Sequence, residues 1–175
     1  RRRQRQMCIR DSGIAMARMA HHGFAMRIVY SSRSAVAESV AMELGAQCLP
    51  LDELLQTTDF VSLHCPATPG TRNLINAQKL RLMGEHAVLI NTARGDVVAE
   101  ADLVQALRDG VIAGAGLDVY AQEPAVPKEL LDLEQVVLLP HMGSGTVETR
   151  EAMGMCALAN IKAHVAGQPL PHAVQ

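Results

Sequence analysis

A chain of 175 residues, 49% of them hydrophobic, can bury one compact core without disulfide staples, and it has no apolar run near the ~18 residues of a membrane span. A formal net charge of -2 leaves no electrostatic ground for nucleic acid or an anionic membrane as partner. Cys8, Cys48, Cys65 and Cys156 lack any C-x-x-C pair and no Cys/His cluster has metal spacing, so a disulfide framework and a metal site are excluded and a reducing cytoplasm is expected.

Residues 1–12 open with Arg1-Arg2-Arg3-Gln4-Arg5-Gln6, a low-complexity basic run without an apolar period of either kind. They are expected to be a non-native or disordered segment outside the fold, with an exposed basic tail for acidic surfaces as the rival reading. From Gly13 onward the periods alternate. Residues 14–22 read as helix with Gly23 stopping it, and residues 27–30 as a β-branched strand. Ser34 can cap a helix running to Leu44, which Gly45 closes. A short strand at 47–49, a helical turn over 51–56 and a buried strand at 60–63 follow. Pro66, Pro69 and Gly70 make 65–73 a loop.

Asn76 can cap a helix to Met83, 87–90 is a strand, and 100–108 is a helix ended by Gly110. Residues 112–117 and 136–139 read as strands, and 146–165 as the last long helix. Repeated strand-helix-strand units with apolar strands predict a parallel sheet covered on both faces, the doubly wound α/β class.

Three segments that each follow an apolar strand carry one useful side chain apiece. Leu-Ile-Asn-Thr-Ala-Arg-Gly at 89–95 supplies Arg94, Gly-Leu-Asp-Val-Tyr-Ala-Gln-Glu-Pro at 116–124 supplies a carboxylate, and Leu-Pro-His-Met-Gly-Ser at 139–144 supplies His141. An arginine can fork onto the carboxylate and carbonyl oxygens of a 2-keto acid, an imidazole can hand it a proton, and a neighbouring carboxylate keeps the imidazole charged. Open α/β sheets place their ligands at such strand ends.

From Gly13 to its end the chain resembles the nucleotide-binding domain of the D-isomer-specific 2-hydroxyacid dehydrogenases, glyoxylate/hydroxypyruvate reductase branch. The resemblance rests on Leu63-His64-Cys65-Pro66-Ala67-Thr68-Pro69-Gly70-Thr71-Arg72, on Asn-Thr-Ala-Arg-Gly, on Gly-Leu-Asp-Val-Tyr with its Glu-Pro, and on Pro-His-Met-Gly-Ser. It implies that Arg94 binds substrate, that His141 is the acid/base and that Glu123 orients and charges it. It also implies a Rossmann-like domain at 13–167 that lacks its first strand and the separate substrate domain, followed by a C-terminal tail at 168–175. The chain then reads as an N-terminally truncated piece, itself inactive, of a reductase that turns a short anionic 2-keto acid into the D-2-hydroxy acid and pairs as a homodimer through this domain.

Cofactor signals are divided. Of a G-x-G-x-x-G fingerprint only Gly13 is present, so the chain is expected to bind dinucleotide poorly. The strand ending near Tyr30 is followed by Ser31-Ser32-Arg33-Ser34 with no acidic residue, which favours NADP(H) over NAD(H), because Arg33 between Ser32 and Ser34 suits a 2′-phosphate. By resemblance, His64 and Pro66 flank the adenine side and Asp118 is the carboxylate near the nicotinamide, while Gly13, Cys65, Thr71, Thr92, Ala93, Arg94, His141, Gly143 and Ser144 are further cofactor-binding positions. Two other classes stay open: a dinucleotide-sensing regulatory protein on the same fold, and a non-catalytic dimerisation module.

Overall fold

The computed structural model describes residues 3–7 and 11–173, with residues 3–7 and 11 described through the backbone alone. The chain divides into two compact units, Arg1–Pro140 and His141–Gln175.

The first unit is a seven-stranded sheet flanked by helices. Its strands are β1 (Arg3–Met7), β2 (Arg27–Ser31), β3 (Gln47–Cys48), β4 (Phe60–Leu63), β5 (Val88–Asn91), β6 (Gly114–Leu117) and β7 (Val136–Leu138). They lie in the order β3-β2-β1-β4-β5-β6-β7, and every pairing is parallel. The connections hold helices α1 (Asp11–Phe24), α2 (Glu38–Leu44), α3 (Leu51–Gln56), α4 (Ala77–Leu82), α5 (Glu100–Arg108) and α6 (Lys128–Leu131), with a 3₁₀ turn at Gly95–Val97. The chain runs outward from β1 to β3, returns to β4 and runs outward again to β7. The order therefore reverses between β1 and β4, and a crevice opens beyond their carboxyl ends.

The doubly wound parallel class is as expected, but one detail is corrected: the sheet has its first strand. Arg3–Met7 form β1 at the centre, with Arg5 in register with Val29 on one side and Val61 on the other. Parallel ladders are made by backbone N–H and C=O groups, so a slot between β2 and β4 can be filled by a segment with no apolar alternation. Hydrophobic periodicity is blind to such a strand. Residues 1, 2 and 8–10 of the same segment lie outside the described residues.

The main core gathers Val29, Val61, Leu63, Leu89 and Leu117 from the strands against Leu54 and Leu55 of α3, Leu80 of α4, Leu103 and Leu107 of α5 and Leu130 of α6. A second cluster joins Ala17 and Ala20 of α1 to Met26, Ile28 and Leu44. Small residues on α1 let that helix lie close to the strand it covers. The helix runs through Gly23, expected to stop it, to Phe24, and Ala25 takes the left-handed conformation at its end. Nor does Ser34 cap α2, whose N-cap is Ala37; the Ser32 hydroxyl instead donates to the Ser34 carbonyl. Gly45 does close α2, at φ 56, and the Asn76 side chain accepts from the Gln78 and Lys79 amides at the start of α4.

In the second unit the Thr146 hydroxyl accepts from the Thr149 amide and starts α7 (Val147–Val165). The Asn160 side chain pairs with both backbone groups of His172, at 3.0 and 2.9 Å, folding the tail back along its helix. No residue of α7 is buried, and Met153, Met155, Ile161 and Val165 are exposed.

The Arg18 guanidinium forks onto Glu43, with both contacts at 2.8 Å, and ties α1 to α2. That hydrogen bonding holds the Glu43 carboxyl at about 2, below its ordinary range. Because the folded value is the lower one, the tie stabilises at neutral pH and is lost as pH falls through about 4 toward 2. The pair is solvent-exposed, so its share is small. Glu43→Gln is expected to lower the neutral-pH midpoint of urea unfolding slightly and to flatten the acid limb by the same small amount, so that variant and wild type converge near pH 2.

Candidate functional site

The carboxyl ends of β4 and β5 and the first turn of α1 enclose a cleft of about 420 Å³ lined by Ser12, His64, Cys65, Pro66, Ala67, Thr92, Ala93 and Arg94. It sits where the strand order reverses. A larger hollow of about 550 Å³ lies between α5 and residues 122–129, but none of the expected site residues lines it, so chemistry rather than size selects the first.

Arg94 follows β5 through a turn shaped by Asn91, which is 1% exposed. The Asn91 Oδ1 accepts from the Ala93 amide at 3.1 Å and its Nδ2 donates to the Arg94 carbonyl at 3.0 Å. Both ends of this side-chain amide are thus spent on holding the loop, and the exposed Arg94 side chain turns its Nη1 back to donate to the Ala93 carbonyl at 2.6 Å. Asn91 went unrecognised in the sequence as a site residue. The signal was there, in a polar residue on the inward side of a strand end three positions before the arginine.

Gly95 is required by a close approach. A Cβ there would fall 1.9 Å from the Tyr120 carbonyl carbon and 2.3 Å from the Ala121 nitrogen, both backbone atoms that cannot swing aside. The turn after β5 is therefore pressed against the turn after β6. In that second turn the Tyr120 amide donates to Glu123 Oε1 at 3.0 Å, and the Ala121 amide donates to Glu100 Oε1 at 2.8 Å. Arg94 and Glu123 accordingly flank a single backbone contact. Asp118, buried at the end of β6, donates its amide to the Asn91 carbonyl at 3.0 Å.

His64 is half-buried at the end of β4, with its Nε2 2.9 Å from the Ser62 hydroxyl. Burial pushes its pKa down, so the ring is neutral at pH 7. The Thr71 hydroxyl donates to the Pro66 carbonyl at 2.6 Å and accepts from the Thr68 amide at 2.8 Å, pinning the loop over which Pro66 and Ala67 reach the cleft. Ser32, Arg33 and Ser34 lie beyond β2, with Arg33 and Ser34 exposed. Gly13 is buried in the first turn of α1.

His141, Gly143 and Ser144 belong to the second unit. His141 is exposed and holds φ at 53, in the left-handed region that non-glycine residues seldom adopt and that clusters at functional sites. The Gly145 amide donates to the Met142 carbonyl at 2.9 Å, and the Arg150 Nε to the Ser144 carbonyl at 3.1 Å. The first unit thus gathers His64, Cys65, Pro66, Thr92, Ala93 and Arg94 on one cleft and sets Glu123 on the adjoining turn.

Two variants test this geometry. Gly95→Ala is expected to cost at least ~1–3 kcal/mol, because a backbone must yield. Asn91→Leu, which strands a buried amide and a carbonyl, is expected to cost about 1–3 kcal/mol. Urea unfolding midpoints for both should fall well below that of Thr92→Ala, whose side chain is exposed.

Residues 11–143 match the family model described as the NAD-binding domain of the D-isomer-specific 2-hydroxyacid dehydrogenases. Over 159 residues the chain is 50% identical to a glyoxylate reductase of Thermococcus onnurineus, covering 91% of this chain and 47% of that protein. It is 45% identical over 157 residues to glyoxylate/hydroxypyruvate reductase B of Enterobacter agglomerans, covering 89% and 48%. The chain spans about half the length of the curated relatives it matches. Its fold superposes with a TM-score of 0.92, at 37% identity and over 99% of this chain and 53% of the other, on the NADPH-dependent glyoxylate/hydroxypyruvate reductase of Sinorhizobium meliloti in complex with NADP and malonate.

Proposed function

The chain belongs to the D-isomer-specific 2-hydroxyacid dehydrogenase family through the NAD-binding domain, and we propose that it serves the reduction of a short 2-keto acid of glyoxylate or hydroxypyruvate type to the D-2-hydroxy acid. The observation that carries this reading is the cleft at the reversal of strand order, with Arg94 on its rim and the Glu123 turn packed beside it. The names of the relatives from Thermococcus onnurineus and Enterobacter agglomerans support the substrate class.

The residues present suit a nicotinamide dinucleotide. Helix α1 is 14 residues long and aims its N-terminus, the positive end of its dipole, at the crevice where a pyrophosphate would lie. Ser12, Ala67, Thr92 and Ala93 are small enough to let a flat ring lie against the cleft wall. A bound dinucleotide would supply hydride to the substrate carbonyl carbon. NADP(H) is favoured because Arg33, flanked by Ser32 and Ser34, stands beyond β2 where an acidic residue would repel a 2′-phosphate. The Sinorhizobium meliloti reductase, solved with NADP, is in line with this choice.

In this scheme the Arg94 guanidinium forks onto the substrate carboxylate and carbonyl oxygens, fixing which face of the carbonyl is presented. His141 is the acid/base that gives a ring-nitrogen proton to the carbonyl oxygen as negative charge develops there, with Glu123 as the carboxylate assigned to orient it. In the same scheme Asp118 reads the nicotinamide amide, His64 and Pro66 flank the adenine, and Cys65, Thr71, Gly143 and Ser144 are further cofactor contacts. Pairing as a homodimer through this domain and a cytoplasmic location complete the reading. Among the described residues no helix is long and apolar enough to cross a membrane.

One departure weakens cofactor binding. Counting back from Gly13, a G-x-G-x-x-G fingerprint would place glycines at positions 8 and 10, where this chain carries Cys8 and Arg10. In such a fingerprint it is glycine at those two positions that lets backbone amides approach a pyrophosphate. The double substitution Cys8→Gly with Arg10→Gly is expected to tighten NADPH binding by this chain at least about tenfold, as read by NADPH fluorescence; that corresponds to ~1.4 kcal/mol.

The decisive experiment measures NADPH oxidation by the full-length protein with glyoxylate and hydroxypyruvate. Turnover is expected, with His141→Gln lowering kcat by ~10² to 10⁴ and Arg94→Lys mainly raising KM. Failure to oxidise NADPH with any short 2-keto acid would falsify the proposal.

A further inference from the structure

Tyr120 has no part in the chemistry above, yet it touches the turn after β5, the turn after β6 and the residue that follows β7. Its ring is buried, 6% exposed. Its amide donates to Glu123 Oε1 at 3.0 Å, and its carbonyl is the group that presses on Gly95, next to Arg94. Its phenol Oη donates to the Leu139 carbonyl at 2.9 Å, just beyond β7 and two residues before His141.

That last bond has no backbone substitute. The Leu139 amide already donates to the Leu117 carbonyl at 2.8 Å, which ends the β6–β7 ladder, and Pro140 has no N–H to offer. The end of β7 is thus tied at both backbone groups of Leu139, its amide to the Leu117 carbonyl and its carbonyl to the Tyr120 phenol. Burial and the nearby Asp118 carboxylate raise the Tyr120 pKa, so the hydroxyl stays protonated and can donate across the working pH range.

We propose that Tyr120 is a positioning residue: its backbone sets the Glu123 carboxylate and the Arg94 turn, and its hydroxyl fixes the strand end at Leu139, from which the chain runs on to His141. This rests on the reductase reading in taking those three residues as the reacting set. The bond between Oη and the Leu139 carbonyl is internal to the protein. Its loss should disturb placement and spare binding.

Tyr120→Phe keeps the ring and removes only the donor. In the full-length protein kcat with glyoxylate is expected to fall about 10- to 100-fold, the effect of a misplacement on the order of 1 Å, while KM and NADPH affinity stay within about twofold of wild type. In NMR relaxation of the 175-residue chain, the Leu139 amide order parameter is expected to drop from a rigid ~0.85 to below ~0.6, with Glu123 unchanged. A normal kcat, or a lowered kcat with an unchanged Leu139 order parameter, overturns the proposal. If the wild-type protein reduces no 2-keto acid, the reductase reading falls alone, and that order parameter still decides whether Tyr120 holds this strand end.

Discussion

The backbone at residue 95 approaches the peptide joining Tyr120 to Ala121 so closely that even a methyl group could not stand between them. Adjacent parallel strands lie about 4.8 Å apart, and β5 and β6 are such neighbours, so their carboxyl-end loops emerge side by side. Most neighbouring loops are then kept apart by their own side chains. Here the glycine removes that spacer, and Arg94 and the Glu123 turn are located relative to each other by main chain against main chain. Main-chain atoms have far fewer rotamers to wander through than a long arginine or glutamate.

Buried polar groups extend the same logic. Asn91 is at the end of β5 and Asp118 just beyond β6, each nearly inaccessible to water, and the Asn91 carbonyl receives the Asp118 amide. A buried amide side chain would be a liability if either of its ends were unmet, and here both are met within the turn that carries Arg94. Polar residues at these strand ends thus take over where the ladder stops. The apolar core holds the strands, and the satisfied polar groups hold what leaves them.

Much of this arrangement was legible in the amino-acid order, because its signals are local. The helix at 100–108 lies where its period and Gly110 put it, Gly45 closes α2, and Asn76 caps α4 with two backbone bonds. Arg94 and Glu123 fall after strands, as their motifs require. What could not be read is what side chains do not encode. Strand β1 is an Arg/Gln segment held by neighbours on both sides, so its pairing left no hydrophobic trace. Ser34 has the residue type of a cap, yet its carbonyl is engaged by Ser32 and the helix begins later. The tie from Tyr120 to Leu139 spans two loops and has no period to betray it.

A sheet in which every neighbour is parallel has no hairpin, and this has a kinetic consequence. Each pairing waits for a crossover to close, and the pair at the centre waits longest: Gln4 meets Phe60 only after two strands and three helices have been threaded between them. Non-local pairing of this kind slows folding and leaves unpaired strand edges exposed meanwhile. The central seam of the finished molecule is thus among the last to zip shut. Until it does, β4 presents a bare edge to any extended peptide nearby, which makes dilute, cool refolding the gentlest route to the native state.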